Sequence, residues 1–201
     1  NDREIIYSYI SNSLTDKIIY QDIPSAFKVT RKDVLYSMLE YCARETSNLL
    51  EVKNLAELLK VNYRTARSYL FYLEHSFVLS LVYNTSKSFT KQLRKNKKVH
   101  IAHPSITLAL TRSPSHILEQ HEQAGKYIET IVFGHISQLS DRITFWRSPQ
   151  KDEVDLVADV EGNIIPIEVK FQSSIHAEDA SSLIKFMNLK SLSFGIVVTR
   201  D

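Results

Sequence analysis

The stretch EVDLVADVEGNIIPIEVK, residues 153 to 170, limits this chain more than any other. Apolar β-formers alternate through it on both sides of a Glu-Gly-Asn turn, which predicts two strands folding back at Gly162. The hairpin also carries Asp155, Glu168 and Lys170, so the fold has to accommodate two acids and a lysine among apolar neighbours. Pairing through that turn puts one of residues 168 to 170 opposite Asp155. Strand alternation places Glu168 and Lys170 on one face with Ile167 and Val169 on the other, and gives Asp155 the face of Val157 and Asp159.

Two carboxylates this close repel, and one takes up a proton unless a cation stands between them. A divalent ion removes the conflict. Hard cations such as Mg²⁺ or Mn²⁺ prefer oxygen ligands, and the Val169 carbonyl lies between the two acids in sequence as a candidate third donor. Such an ion polarises a phosphate oxygen and lowers the pKa of a bound water, with Lys170 orienting that water or stabilising developing charge. The competing reading is structural: Lys170 forms a salt bridge with Asp155 or Glu168 on a partly exposed sheet.

The rest of the chain reads as two domains, 1–112 and 113–201, divided near Pro114 and its flanking serines. In the first, DREIIYSYIS and RKDVLYSMLEYCARE are helical, and Val34, Leu35, Met38, Leu39 and Cys42 fall at core spacing. VKNLAELLK and YRTARSYLFYLEHS form two helices joined by a tight turn, with Asn62 as N-cap of the second. FVLSLVYN and KKVHIAH are strands flanking a basic stretch. That order is a winged helix-turn-helix. In the second domain a helix between Ser115 and about Leu139 presents Ile128, Val132, Ile136 and Leu139 on one face. Strands RITFWR, EVDLVADV and NIIPIEVK, a helix around AEDASSLIKFMN and a last strand SFGIVVT complete an α-β-β-β-α-β order. The expected class is therefore α/β, or α+β overall.

Charge is unevenly placed. Residues 51 to 100 hold ten Lys or Arg against three Glu, a local +7, while the other residues sum to −5. Such separation suggests a face for a polyanion, with a merely solvated basic surface as the alternative. On the second helix of the motif, Tyr63, Arg64, Thr65, Arg67 and Ser68 are donors suited to base edges and phosphates. The wing segment KQLRKNKK adds Lys91, Arg94, Lys95, Lys97 and Lys98, which suit phosphate neutralisation on double-stranded DNA. The alternative is a packing or protein-interaction module.

Other features narrow the function. Hydrophobic residues make up 43% of 201, enough for one sizeable core or two small ones. No apolar run reaches the roughly 20 residues of a membrane helix. The lone Cys42 rules out an internal disulfide and fits a reducing cytoplasm. The start lacks a signal-peptide pattern and an initiator Met, as expected of a fragment or processed chain. Four scattered glycines form no phosphate loop. His100 and His103 are expected to be structural, Trp146 to pack in the core or at its rim, and Arg147 to contact phosphate near the hairpin. His116, His121 and His135 carry no assigned chemistry.

The Asp, the hairpin and the Glu-x-Lys tripeptide, inside that element order, resemble the PD-(D/E)XK nuclease superfamily. The resemblance implies that Asp155 and Glu168 bind metal, that Lys170 assists cleavage of a phosphodiester, and that Glu129 in GKYIETIV completes the site from the preceding helix. Glu129 as a plain solvent-facing residue is the alternative. Taken together, TARSYLFYLE, the wing, GKYIETIV, FWRSPQKDEVDLV and IPIEVK look like the C-terminal portion of a family of prokaryotic AAA+ type ATPases. HIAHPSI departs from that family, in which an Asp-x-Gly turn usually ends the corresponding strand. The resemblance implies an N-terminal ATPase domain as partner, with ATP bound only through that module, outside this chain. It leaves open whether the nuclease-like domain cuts DNA or serves as a silent scaffold.

Overall fold

The computed structural model describes residues 2–86, 96–112, 121–140 and 142–200. The chain forms two units, Asn1–Leu81 with Lys98–Ile117 and Val82–Lys97 with Leu118–Asp201. The two units interleave along the chain, whereas the sequence suggests a single division after residue 112. Among the described residues, no helix is long and apolar enough to cross a membrane.

The first unit is mostly helical. Helix α1 (Asp2–Tyr9) continues into two π-helical stretches, Ile10–Thr15 and Ile18–Asp22, followed by the short α2 (Ile23–Ala26) and by α3 (Lys32–Arg44). The α3 stripe behaves as its spacing dictates: Val34, Leu35, Met38, Leu39 and Cys42 are all buried. Burial pushes the Cys42 thiol up to about 12, so it stays protonated and acts as a small core residue.

Strand β1 (Leu49–Leu50) leads into α4 (Val52–Leu58) and α5 (Tyr63–His75), which form the helix-turn-helix. Lys60 takes a left-handed backbone (φ 52°) between them. The Asn62 side chain accepts from the Thr65 N–H at 2.8 Å, satisfying a donor that the helix itself cannot. Asn62→Ala is expected to cost about 1 kcal/mol, read as a lower midpoint in urea unfolding. Inward, α5 buries Ala66, Tyr69, Leu70 and Leu73, while Tyr72 is half-buried and stacks on Phe27 with centroids 4.4 Å apart. Strands β2 (Leu79–Asn84) and β3 (Lys97–Ile101) follow, and the strand order in this region is β1-β3-β2. The order of helices and strands is the one expected, and the segment expected to be the wing lies outside the described residues.

Strand β3 is buried from Lys98 to Ile101, because β1 and β2 flank it and both of its faces are covered. Burial, with the nearby Lys98 charge, drives the His100 pKa down to about 3, so this histidine is neutral. His103 is different: it caps helix α6 (Pro104–Thr111), its Nδ1 accepting from the Ser105 N–H at 3.2 Å. Both histidines are structural, as expected. Helix α6 ends just before the expected division near Pro114 and has no counterpart among the elements expected from the sequence.

The second unit comprises Val82–Asn84 of β2, α7 (His121–Ile136), β4 (Arg142–Arg147), β5 (Glu153–Val160), β6 (Asn163–Val169), a 3₁₀ turn (Ala177–Ala180), α8 (Ser181–Lys190) and β7 (Ile196–Val198). From α7 onward this is the expected α-β-β-β-α-β order. β4 pairs antiparallel with β5, and β5 with β6. β7 returns parallel to β6 after the α8 crossover, with Ile167 opposite Ile196. The protein is mixed α and β.

The buried face of α7 differs from the expected one. Ala124, Tyr127, Thr130 and Phe133 are buried, Ile128, Val132 and Ile136 are intermediate, and Leu139 is 69% exposed. The helix packs on β5 and β6, and small Ala124 and Thr130 are buried on it along with the Tyr127 and Phe133 rings. Apolar periodicity does not see a buried threonine. Across the sheet, Trp146, Val154 and Val157 pack with Leu183 and Phe186 of α8, the two rings 5.2 Å apart.

Candidate functional site

The β5–β6 ladder runs in register from Val160 opposite Asn163 to Leu156 opposite Ile167. Asp155 is the next residue on β5 and lies beyond the paired stretch. At this point β5 stops being regular. Thr144 pairs with Val157 but Trp146 with Val154, so three steps on β5 match two on β4, and Asp155 and Leu156 together oppose Phe145. This is a β-bulge, which bends a strand and re-aims a side chain. It explains why Val154 and Val157, an odd number of residues apart, both pack against α8. It also corrects the expectation that simple alternation carries Asp155 on the face of Val157.

Beyond Leu156 the Asp155 side chain takes over from the ladder, its Oδ2 accepting from the Val169 N–H at 2.9 Å. In an extended strand the N–H and C=O of one residue point to the same edge, so the Val169 carbonyl is directed toward Asp155 as well. Glu168 is 5% exposed and its Oε1 accepts from the Lys170 ammonium at 2.7 Å. Desolvation opposes the charge on Lys170, but the bond to Glu168 and the fields of Glu168, Asp155 and Asp179 outweigh it and raise its pKa above the ordinary lysine value. Lys170 is therefore a fixed cation and a poor proton acceptor.

Asp179 was not singled out by any motif. It lies in the 3₁₀ turn before α8, where its Oδ2 accepts from the Gln172 amide and the His176 N–H, both at 2.9 Å. The available signal was a helix-capping one, which says nothing about a neighbouring lysine. With it, three carboxylates act on one ammonium.

Glu129 sits on α7, the helix that packs on β5 and β6, and is 9% exposed. The solvent-facing alternative for it is therefore excluded. Yet among the described residues no three or more His, Cys, Asp or Glu side chains are grouped to hold a metal ion. Glu129, Asp155 and Glu168 thus do not close around one point. What the structure does show is Lys170 within the field of Glu168, Asp155 and Asp179, with the Val169 carbonyl on the edge of β6 that faces Asp155. Such oxygen donors fit a hard cation in chemistry, since each carboxylate oxygen accepts more than one partner.

The other predicted residues divide clearly. On α5, Tyr63, Arg64 and Arg67 are exposed while Thr65 and Ser68 are half-buried. Tyr63, Arg64, Arg67, Ser68, Phe71 and Tyr72 line a shallow concavity of about 350 Å³. The Arg67 guanidinium stands 6.0 Å from the Tyr63 ring centroid. Lys91, Arg94 and Lys95 lie outside the described residues. Lys97 is half-buried, its ammonium 5.2 Å from the Tyr83 ring centroid. Lys98 is 2% exposed and cannot reach a phosphate, which corrects its assignment: alternation along β3 gave no warning that both faces of that strand are covered. Arg147 pairs with Glu153 at 2.5 Å, so its expected phosphate contact has a carboxylate competitor.

Residues 1–116 match the model of a family described as Domain of unknown function (DUF8612), and residues 124–201 match that of a second, Domain of unknown function (DUF4143). No curated protein and no solved structure matches the chain.

Proposed function

The chain belongs to the DUF8612 family, and on that premise we propose that it is the DNA-binding C-terminal portion of an AAA+ type ATP-binding protein, with a divalent-metal-dependent nuclease site in its second unit. DUF4143 domains occur in AAA-ATPase-associated proteins, which supports the ATPase connection. ATP would be bound only by a module outside this chain.

One observation supports the nuclease reading: Glu168, Asp155 and Asp179 all act on Lys170, with Asp155 at a bulge and Glu168 buried at the open end of the hairpin. A Mg²⁺ or Mn²⁺ ion there would supply Lewis-acid polarisation of a phosphate oxygen and a more acidic bound water. Asp155, Glu168 and the Val169 carbonyl would hold it. Lys170, charged at all moderate pH, steadies negative charge on the phosphate and leaves proton abstraction to other groups. The test is cleavage of supercoiled plasmid with Mn²⁺, with Asp155→Asn as control.

The exposed Arg64 and Arg67 support double-stranded DNA as the partner of α5. Reversing both to Glu is expected to weaken duplex binding at least about tenfold. It should also flatten the log–log salt slope by about 2. Fluorescence anisotropy over a salt series reads both, and unchanged binding would favour a docking surface for another protein.

A second reading has its own support. The Lys170–Glu168 pair already offsets part of the charge, as in a catalytically silent domain kept as a regulatory or protein-interaction module. Absence of Mn²⁺ binding to the hairpin would select it.

A further inference from the structure

A second cleft lies within the second unit, at the turn end of the same hairpin. Its volume is about 250 Å³, and Val157, Ile164, Phe186 and Leu192 give it an apolar floor. Arg142, Asp159 and Lys190 stand around it. Asp159 and Ile164 pair across the ladder there, four residues from Asp155, about 13 Å along an extended strand. No wall of this cleft belongs to the Asp155–Glu168–Lys170 group.

The charges around it are unbalanced. Arg142 is directly opposite Asp159 on the neighbouring strand, where an ion pair would be expected. Instead Asp159 turns to the hairpin, its Oδ1 accepting from the Gly162 N–H at 3.0 Å. Among the described residues neither Arg142 nor Lys190 forms an ion pair, whereas Arg147 and Lys185 nearby are each matched by an acid. Lys190 holds its ammonium 5.9 Å from the Phe186 ring centroid, over the aromatic part of the floor. One wall is fixed by Thr85 and Thr144, whose hydroxyls are bonded to each other at 2.8 Å.

We propose that this cleft binds a small organic phosphate of nucleoside-monophosphate size, its phosphate between Arg142 and Lys190 and its flat apolar body on the accessible side chains of Ile164 and Leu192. Two unmatched cations beside an apolar floor select a ligand that is anionic at one end and apolar at the other. The volume, just under the roughly 300 Å³ lower end for small-molecule pockets, leaves a nucleotide partly exposed at the mouth and excludes a folded duplex. The proposal is independent of the nuclease reading, since it uses none of the same residues.

Calorimetry on the whole chain, with AMP, adenosine and inorganic phosphate as separate probes, tests it. Trp146, the only tryptophan, packs on Phe186 and should report occupancy by a change in fluorescence. AMP is expected to bind more tightly than adenosine or phosphate, each by about tenfold or more, and Arg142→Gln with Lys190→Gln should remove that advantage over adenosine. Ile164→Asp, at a 38% exposed position that tolerates polarity, should weaken AMP while sparing the fold. Asp155→Asn should leave AMP binding unchanged. The proposal is overturned if AMP fails to bind at millimolar concentration, if the double variant binds it as the parent does, or if adenosine or phosphate alone binds as well.

Discussion

Asp155→Asn is expected to lower Mn²⁺-dependent plasmid cleavage at least about a hundredfold, while the protein keeps its fold. The size follows from the place of the residue: loss of groups that only support a metal ligand costs 10–100-fold, so loss of a ligand charge costs at least the upper end. The retention of fold follows from the bond geometry. Asparagine is isosteric, and its amide oxygen can still accept from the Val169 N–H that Asp155 holds at 2.9 Å. The stability cost is therefore about 1 kcal/mol or less, checked by thermal unfolding of both proteins. Cleavage by the variant at the parent rate sinks the nuclease reading, because a carboxylate aimed by the bulge would then have no part in the reaction. The same assay on Glu168→Gln should show a comparable loss.

Local chemistry made much of this site legible in the sequence. The turn at Gly162 sets the register, and the register sets which residues oppose one another from Val160 and Asn163 to Leu156 and Ile167. The Asn62 cap and the α3 stripe are equally local, and both are found as read. Failures occur where a residue's fate depends on something distant in sequence. The bulge at Asp155 is visible only against β4, since nothing inside EVDLVADV marks an extra residue. Lys98 lies in a run of cations that looks solvated, and its burial depends on β1 and β2 flanking β3. The α7 face is decided by the fit of Tyr127 and Phe133 against the sheet rather than by hydrophobic count. Asp179 joins the field on Lys170 only after the chain has turned into α8. Period and propensity describe what a segment offers, and packing decides which offer is taken.

Replacing Lys170 with Met separates a working metal site from a salt bridge by a measurement that needs no substrate. At neutral pH the variant leaves Glu168, whose side chain is 6% exposed, without its ammonium partner. The expected loss is about 2–3 kcal/mol, below that of a fully buried pair because water reaches the lysine end. For a chain of this length that is a fall in Tm of about 5–10 °C. The pH dependence has a definite sign. The folded-state pKa of Lys170 is raised, so its contribution is full below the ordinary lysine value of about 10.4 and is lost as pH climbs through the raised one. The gap between parent and variant should therefore hold across neutral pH and close only in strong alkali. Mn²⁺ supplies the decisive arm. If the carboxylates around Lys170 form a cation site, removing the ammonium increases their unbalanced charge, and Mn²⁺ should raise the Tm of Lys170→Met more than that of the parent. Equal, negligible shifts in both proteins would mean that the lysine alone satisfies these acids, and the second unit would then be read as a silent scaffold.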